Sequence, residues 1–231
     1  MIRTELLSAV SGIALMGSVA AHADVAVTIN GVASALPNNG LTSQFAGTAG
    51  FIAQNFNGTA IGQLPSWYSG NGQVLGASTG NAARPSTPSG PGLNESRFLT
   101  VPTNLTNTPL TVTINLPFLS NYFGLYWGSV DTYNQITFFR NGSQVATYGG
   151  QTIISLPDPD LGPGNQSQAV YVNFFFDKGD AYDRVVLASS SFAFESDNHV
   201  FGVVPVPGSA MLLLSGILGA AFLGRRRKSA A

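Results

Sequence analysis

Gln135-Ile-Thr-Phe-Phe-Arg140, Asn141-Gly142 and Gln144-Val-Ala-Thr-Tyr148 read together as two strands and the turn that joins them. A two-residue type I′ turn needs positive φ at both central positions, and asparagine followed by glycine meets that need at little steric cost. Outward from this hairpin, similar runs rich in β-branched and aromatic residues occupy 25–29, 98–101, 110–116, 122–127, 169–176, 184–187 and 191–194, and Gly, Pro, Asn or Asp punctuate most of the gaps. No sustained helical periodicity appears outside the two chain ends. Short strands at this spacing predict an all-β protein, an antiparallel β-sandwich of jelly-roll-like form spanning 24–202. Two stretches read as loops: 69–94, dominated by Gly, Ser, Asn and Pro, as a long exposed one, and Asp158-Pro-Asp-Leu-Gly-Pro-Gly-Asn165 as a second.

The segment Asn121-Tyr-Phe-Gly-Leu-Tyr-Trp-Gly-Ser-Val-Asp-Thr-Tyr-Asn134 is the most distinctive internal one. Strand alternation puts Tyr122, Gly124 and Tyr126 on one side and Phe123, Leu125 and Trp127 on the other. Both sides are apolar or amphipathic, so a central strand is expected. Two roles fit these residues. One is packing. The other is a solvent-facing platform on which a sugar ring stacks, built from Tyr122, Tyr126, Trp127 or Tyr133, with Asp131 in the following turn supplying a carboxylate.

Composition narrows the chemistry. The chain has 231 residues, 15 phenylalanines and no cysteine, so disulfides, thiolate metal sites and cysteine nucleophiles are excluded. Residues 24–202 carry ten acids against five bases, an acidic surface that disfavours nucleic acid. No cofactor is expected, apart from a structural calcium for which Asp197 is the favoured ligand. Asp177, Asp180 and Asp183 read as solvated turn carboxylates, since the Asp-x-Asp-x-Asp-Gly loop is absent. His199 is the single histidine after residue 23. No Gly-x-Ser-x-Gly elbow, glycine-rich phosphate loop or His-Glu-x-x-His helix accompanies it, so catalysis is not expected. Paired carboxylates for glycoside hydrolysis remain open as an alternative.

Both ends read as processing signals. Arg3, an apolar 6–20 and Ala21-His22-Ala23 form a signal peptide over 1–23, with Asp24 as the mature N-terminus. At the other end stand Val204-Pro205-Val206-Pro207, an apolar stretch over 208–224, and Arg225-Arg226-Arg227-Lys228. Seventeen residues rising about 1.5 Å each are slightly short for a ~30 Å hydrocarbon core, which suits a temporary transmembrane anchor. The four cations keep the tail cytoplasmic and leave the bulk of the chain outside.

This tripartite tail, 203–231, resembles the PEP-CTERM sorting signal of bacterial exosortase substrates, with Val206 where glutamate is usual. The resemblance implies signal peptidase and exosortase as partners, a transient inner-membrane anchor, cleavage near the proline motif, and a cell-surface or extracellular destination. The Tyr122-to-Ser129 core followed by Asp131 and Tyr133-Asn134 is similar to a family of exosortase-dependent surface proteins, and the likeness runs from Phe98 to Phe201. Phe194-Glu-Ser-Asp-Asn198 is also similar to the closing strand of many exported jelly rolls. The expectation is a non-catalytic surface or matrix protein contributing to biofilm or exopolysaccharide association. The alternatives are a carbohydrate-binding module and a glycan hydrolase.

Overall fold

The computed structural model describes residues 25–36, 39–85, 96–156 and 169–204. The signal peptide with Ala21, Ala23 and Asp24, the motif residues Pro205, Val206 and Pro207, the 208–224 span, the basic residues Arg225, Arg226, Arg227 and Lys228, and the 158–165 loop lie outside them. Among the described residues, no helix is long and apolar enough to cross a membrane.

In chain order the strands are β1 (Val25–Ile29), β2 (Val32–Ala33), β3 (Leu41–Thr42), β4 (Phe51–Gln54), β5 (Tyr68–Gly70), β6 (Gln73–Leu75), β7 (Phe98–Val101), β8 (Thr111–Ser120), β9 (Tyr122–Gly128), β10 (Asn134–Arg140), β11 (Ser143–Gly149), β12 (Ala169–Phe176), β13 (Tyr182–Ser189) and β14 (Phe194–Gly202). A short helix α1 (Gly150–Ile154) follows β11. The protein is all-β. One sheet runs β1-β12-β9-β14-β7-β6, with β4 also on β14; a second runs β11-β10-β13-β8-β5; β2 and β3 pair alone. Every strand pairing is antiparallel.

The hairpin that suggested this fold is present: Arg140 pairs with Ser143, and Asn141 and Gly142 have φ of 50° and 83°. Inward side chains of both large sheets meet in one apolar cluster. The first sheet contributes Phe123, Leu125 and Trp127 from β9 and Val172, Phe174 and Phe176 from β12. The second contributes Val112 and Ile114 from β8, Ile136 and Phe138 from β10, and Val185 and Leu187 from β13. At about 25 cal/mol per Å² of apolar surface removed from water, such a core drives folding without disulfides.

β9 is central, between β12 and β14, as its two apolar faces predict. Its outer face is covered by the 39–51 segment. The Ser43 and Tyr122 hydroxyls lie 2.6 Å apart, Tyr122 donates to Asn173 Oδ1 at 2.6 Å, and Phe45 meets the Tyr122 ring edge-on at 4.9 Å. Asn198, with φ of 48° beside a register shift in β14, donates to the Asn39 and Leu41 carbonyls.

Three expectations need correction. The 69–94 stretch is not one exposed loop: Ser69 and Gly70 belong to β5, and residues 73–75 form β6. Both are edge strands, where ladder bonds come from the backbone and one inserted apolar side chain suffices; Val74 is that side chain in β6, fully buried. Residues 86–94 lie outside the described set. β8 continues past Leu116 through Pro117 to Ser120, and its pairing with β13 is irregular there, at the kind of break where a strand accommodates proline. The 191–194 run contributes only Phe194, and the strand continues instead through polar Glu195 to Gly202.

Candidate functional site

The aromatic platform is not at the surface. Tyr122, Tyr126 and Trp127 are all fully buried. Trp127 stacks on Phe194 within the core at 4.4 Å, while Tyr126 packs with Ala169, Tyr171 and Leu41 under the N-terminal segment. A ring enclosed on both faces cannot stack on a sugar, so these three residues serve packing. Asp131 and Tyr133, in the connection from β9 to β10, do reach solvent: Asp131 is half-buried and Tyr133 is 36% exposed.

They open onto a cleft of about 160 Å³. Thr79 and Asn81 form one wall, Ser129, Asp131 and Tyr133 another, and Glu195 from the start of β14 completes the lining. Buried Asn134 ties these walls together, donating to the Ser129 and Ala193 carbonyls while its Oδ1 accepts from the Ser189 hydroxyl at 2.7 Å. Gly150 lets α1 press against the β9–β10 connection, because a Cβ there would sit 1.9 Å from the Asp131 carbonyl oxygen.

Glu195 is only 3% exposed. Its Oε1 accepts the Ala83 amide hydrogen at 2.8 Å, and its Oε2 has no partner among the described residues. Burial pushes its carboxyl up to about 8; the Asp131 charge adds to the rise and the Ala83 amide opposes it. Partial burial also raises Asp131, against the Tyr133 hydroxyl that donates to its Oδ2 at 2.8 Å. The Tyr133 oxygen also lies 2.7 Å from the Phe192 carbonyl, which anchors the ring at the cleft edge.

A stability prediction follows from Glu195. Between pH 4.5, its ordinary value, and about 8, the folded chain holds a proton that the unfolded chain has released. Its contribution is therefore complete below pH 4.5 and is lost as pH rises toward 8. Glu195→Gln keeps an acceptor for Ala83 and removes the titration. Relative to the parent, the variant should gain a few kcal/mol of unfolding free energy between pH 5 and pH 9. Urea melts at the two pH values measure it, and parallel profiles would contradict it.

Asp197 does not sit at a strand end. It lies inside β14, fully buried, bonded by the Ser96 hydroxyl and by the Asn198 amide at 2.6 Å. Glu195, two residues earlier, serves the cleft instead. No group of three or more His, Cys, Asp and Glu residues gathers among the described residues. Asp183 accepts the Asn141 amide beside the hairpin turn.

His199 is fully buried, between the Tyr68 hydroxyl at 2.9 Å on Nδ1 and the Ser196 hydroxyl at 2.9 Å on Nε2. Phe56 and Phe123 meet its ring edge-on. This enclosure pulls its value down to about 3, so it is neutral in the fold and gives up stability as pH falls from 6.5 toward 3. Its imidazole proton resonances should not move between pH 8 and pH 5. A titration centred near 6.5 in the folded protein would contradict the assignment.

The residue order pointed to the turn that holds Ser129 and Asp131, and it gave no sign of Thr79 and Asn81. For Glu195, an acid directly after Phe194 at the start of a strand was the available signal. No protein-family model matches the chain, and no curated protein matches it.

Proposed function

We propose that the chain is an exported, non-catalytic surface or matrix protein, sorted by an exosortase and associated with extracellular polysaccharide. The observation that supports the reading is that residues beside both expected processing points are tied into the folded domain. β1, Val25–Ile29, lies close behind the expected signal-peptidase site and pairs with β12 along its length. At the other end, Val204 opens the proline motif and is bonded to the domain: its amide donates to Asn121 Oδ1 at 2.7 Å, and its carbonyl accepts from Asn121 Nδ2 at 3.0 Å. A strand pairing beside one expected processing point and backbone bonds beside the other suit a chain that keeps its fold when trimmed at both ends.

In this reading the two large sheets are the faces of a jelly-roll-like sandwich. The Tyr-Phe-Gly-Leu-Tyr-Trp-Gly core is its central packing strand rather than its binding surface. The 208–224 span holds the chain in the inner membrane until cleavage, and the basic tail stays behind. Fractionation of cells with and without exosortase tests this. Surface or medium protein in the first, and full-length protein held in the inner membrane of the second, is the expected pattern; the same membrane-bound full-length chain in both would contradict it.

The Asp131–Glu195 pair in one cleft favours a second reading, glycan hydrolysis by paired carboxylates. Release of reducing sugar from extracellular polysaccharide, abolished by Glu195→Gln, would select it.

A further inference from the structure

We propose that the Asp131–Glu195 cleft binds one uncharged, hydroxyl-rich unit, a pyranose gripped through a vicinal diol, with the Glu195 carboxyl donating and the Asp131 carboxylate accepting. This deepens the polysaccharide association inferred above, rests on it, and moves it away from the buried tyrosines.

Two independent observations carry it. The first is the concavity, polar on most sides and small beside the ~300–1,000 Å³ of drug-sized sites, so it takes a single ring rather than a long chain. The second is Glu195, nearly enclosed, with one oxygen held by the Ala83 amide and the other lacking a partner among the described residues. A buried polar atom without a partner is costly, and a ligand hydroxyl reaching it removes that cost. With Oε1 committed as acceptor, a protonated Glu195 carries its hydrogen on Oε2, where it is free to donate. Asp131 gives Oδ2 to Tyr133 and leaves Oδ1 for a ligand hydroxyl. Each oxygen of a diol both donates and accepts, so adjacent hydroxyls satisfy one donor and one acceptor together. Ser129, Asn81 and Thr79 add neutral polar atoms around them, and the exposed Tyr133 ring offers an apolar edge.

The titratable groups facing Glu195 are Asp131 and Tyr133 from the β9–β10 connection. From the 79–85 segment, Arg84 donates to the Gly76 carbonyl. Along β14, Asp197 is engaged by Ser96. As pH rises through about 8 the Glu195 donor is lost and a second negative charge enters the cleft. A neutral sugar should then leave, whereas a cation would bind better.

That opposition sets the experiment. Full-length protein in detergent is titrated by calorimetry and saturation-transfer NMR with methyl α-mannopyranoside, methyl β-glucopyranoside and, separately, CaCl2, at pH 6 and pH 9. The expected result is glycoside binding at pH 6 that weakens at least tenfold at pH 9. Glu195→Gln, whose amide still donates and whose carbonyl still accepts from Ala83, should bind equally at both values. Asp131→Ala should bind at least tenfold more weakly at both; if that variant fails to fold, the Glu195→Gln comparison decides alone. Glycoside binding that is absent at pH 6, unchanged by pH or strengthened at pH 9 would overturn the proposal. Capture of calcium but no glycoside, abolished by Glu195→Gln, would also overturn it, as would turnover of a glycoside. A chain that still associates with cell polysaccharide while ignoring both glycosides would sink this site and leave the broader reading standing.

Discussion

Phe138→Ala is expected to lower the unfolding free energy by about 3–5 kcal/mol, the usual range for truncating a buried phenylalanine. Phe138 belongs to β10 in the second sheet, yet its ring lies 5.9 Å from Phe123, 5.2 Å from Phe174 and 4.7 Å from Phe176, all in the first. Tyr182 at 4.9 Å and Tyr148 at 6.4 Å complete the surround. Removing the ring opens a cavity where the sheets meet, and neighbours fixed on two separate backbones cannot collapse into it. Phe138→Leu retains part of the volume and should cost clearly less. Against a typical total of about 5–15 kcal/mol, the alanine variant loses a large share of its stability. Urea denaturation followed by the fluorescence of buried Trp127 measures both, and a change below about 1 kcal/mol for Phe138→Ala would contradict this account of the core.

Gly124→Ala should be nearly as damaging, although it adds only one methyl group. A Cβ at this position would lie 2.4 Å from the Tyr122 hydroxyl, 2.6 Å from the Tyr171 hydroxyl and 2.8 Å from Tyr171 Cε1. Neither tyrosine can swing aside. Tyr122 is held by Ser43 and Asn173, and Tyr171 donates to the Asn198 carbonyl at 3.1 Å. Overpacking of this kind costs about 1–3 kcal/mol, and the two anchored hydroxyls place the change at the upper end. Gly58 is the control, since nothing lies within 4 Å of a Cβ there, and Gly58→Ala should stay within about 0.5 kcal/mol of the parent. Equal melting temperatures for the two variants would show that the tyrosines can move.

The same pair of tyrosines explains what could be read from the residues alone. Alternation in the 122–127 run identified a strand apolar on both sides, and β9 is central for that reason. Which aromatic residues reach solvent was not legible, because the outer face is closed by residues 39–51, far away in the chain, through contacts such as Ser43 with Tyr122. Asn141-Gly142 was legible because a type I′ turn is a local demand on two residues. β5 and β6 were not, because their few side chains carry no alternating pattern and their pairing partners, β8 and β7, supply the order. The cleft draws on 79–83, 129–133 and 192–195, three segments whose meeting no spacing rule encodes. In the residue order Glu195 stood out only as a neighbour of Asp197 on one strand face. Its burial beside Asp131 sets it apart.

The sorting account meets its most direct test in the intact mass of protein recovered from the cell surface or the medium. The account predicts a chain that starts at Asp24, retains Val204 with its Asn121 bonds, and ends before the 208–224 span. A recovered chain that still carries Arg225 to Lys228 would contradict it.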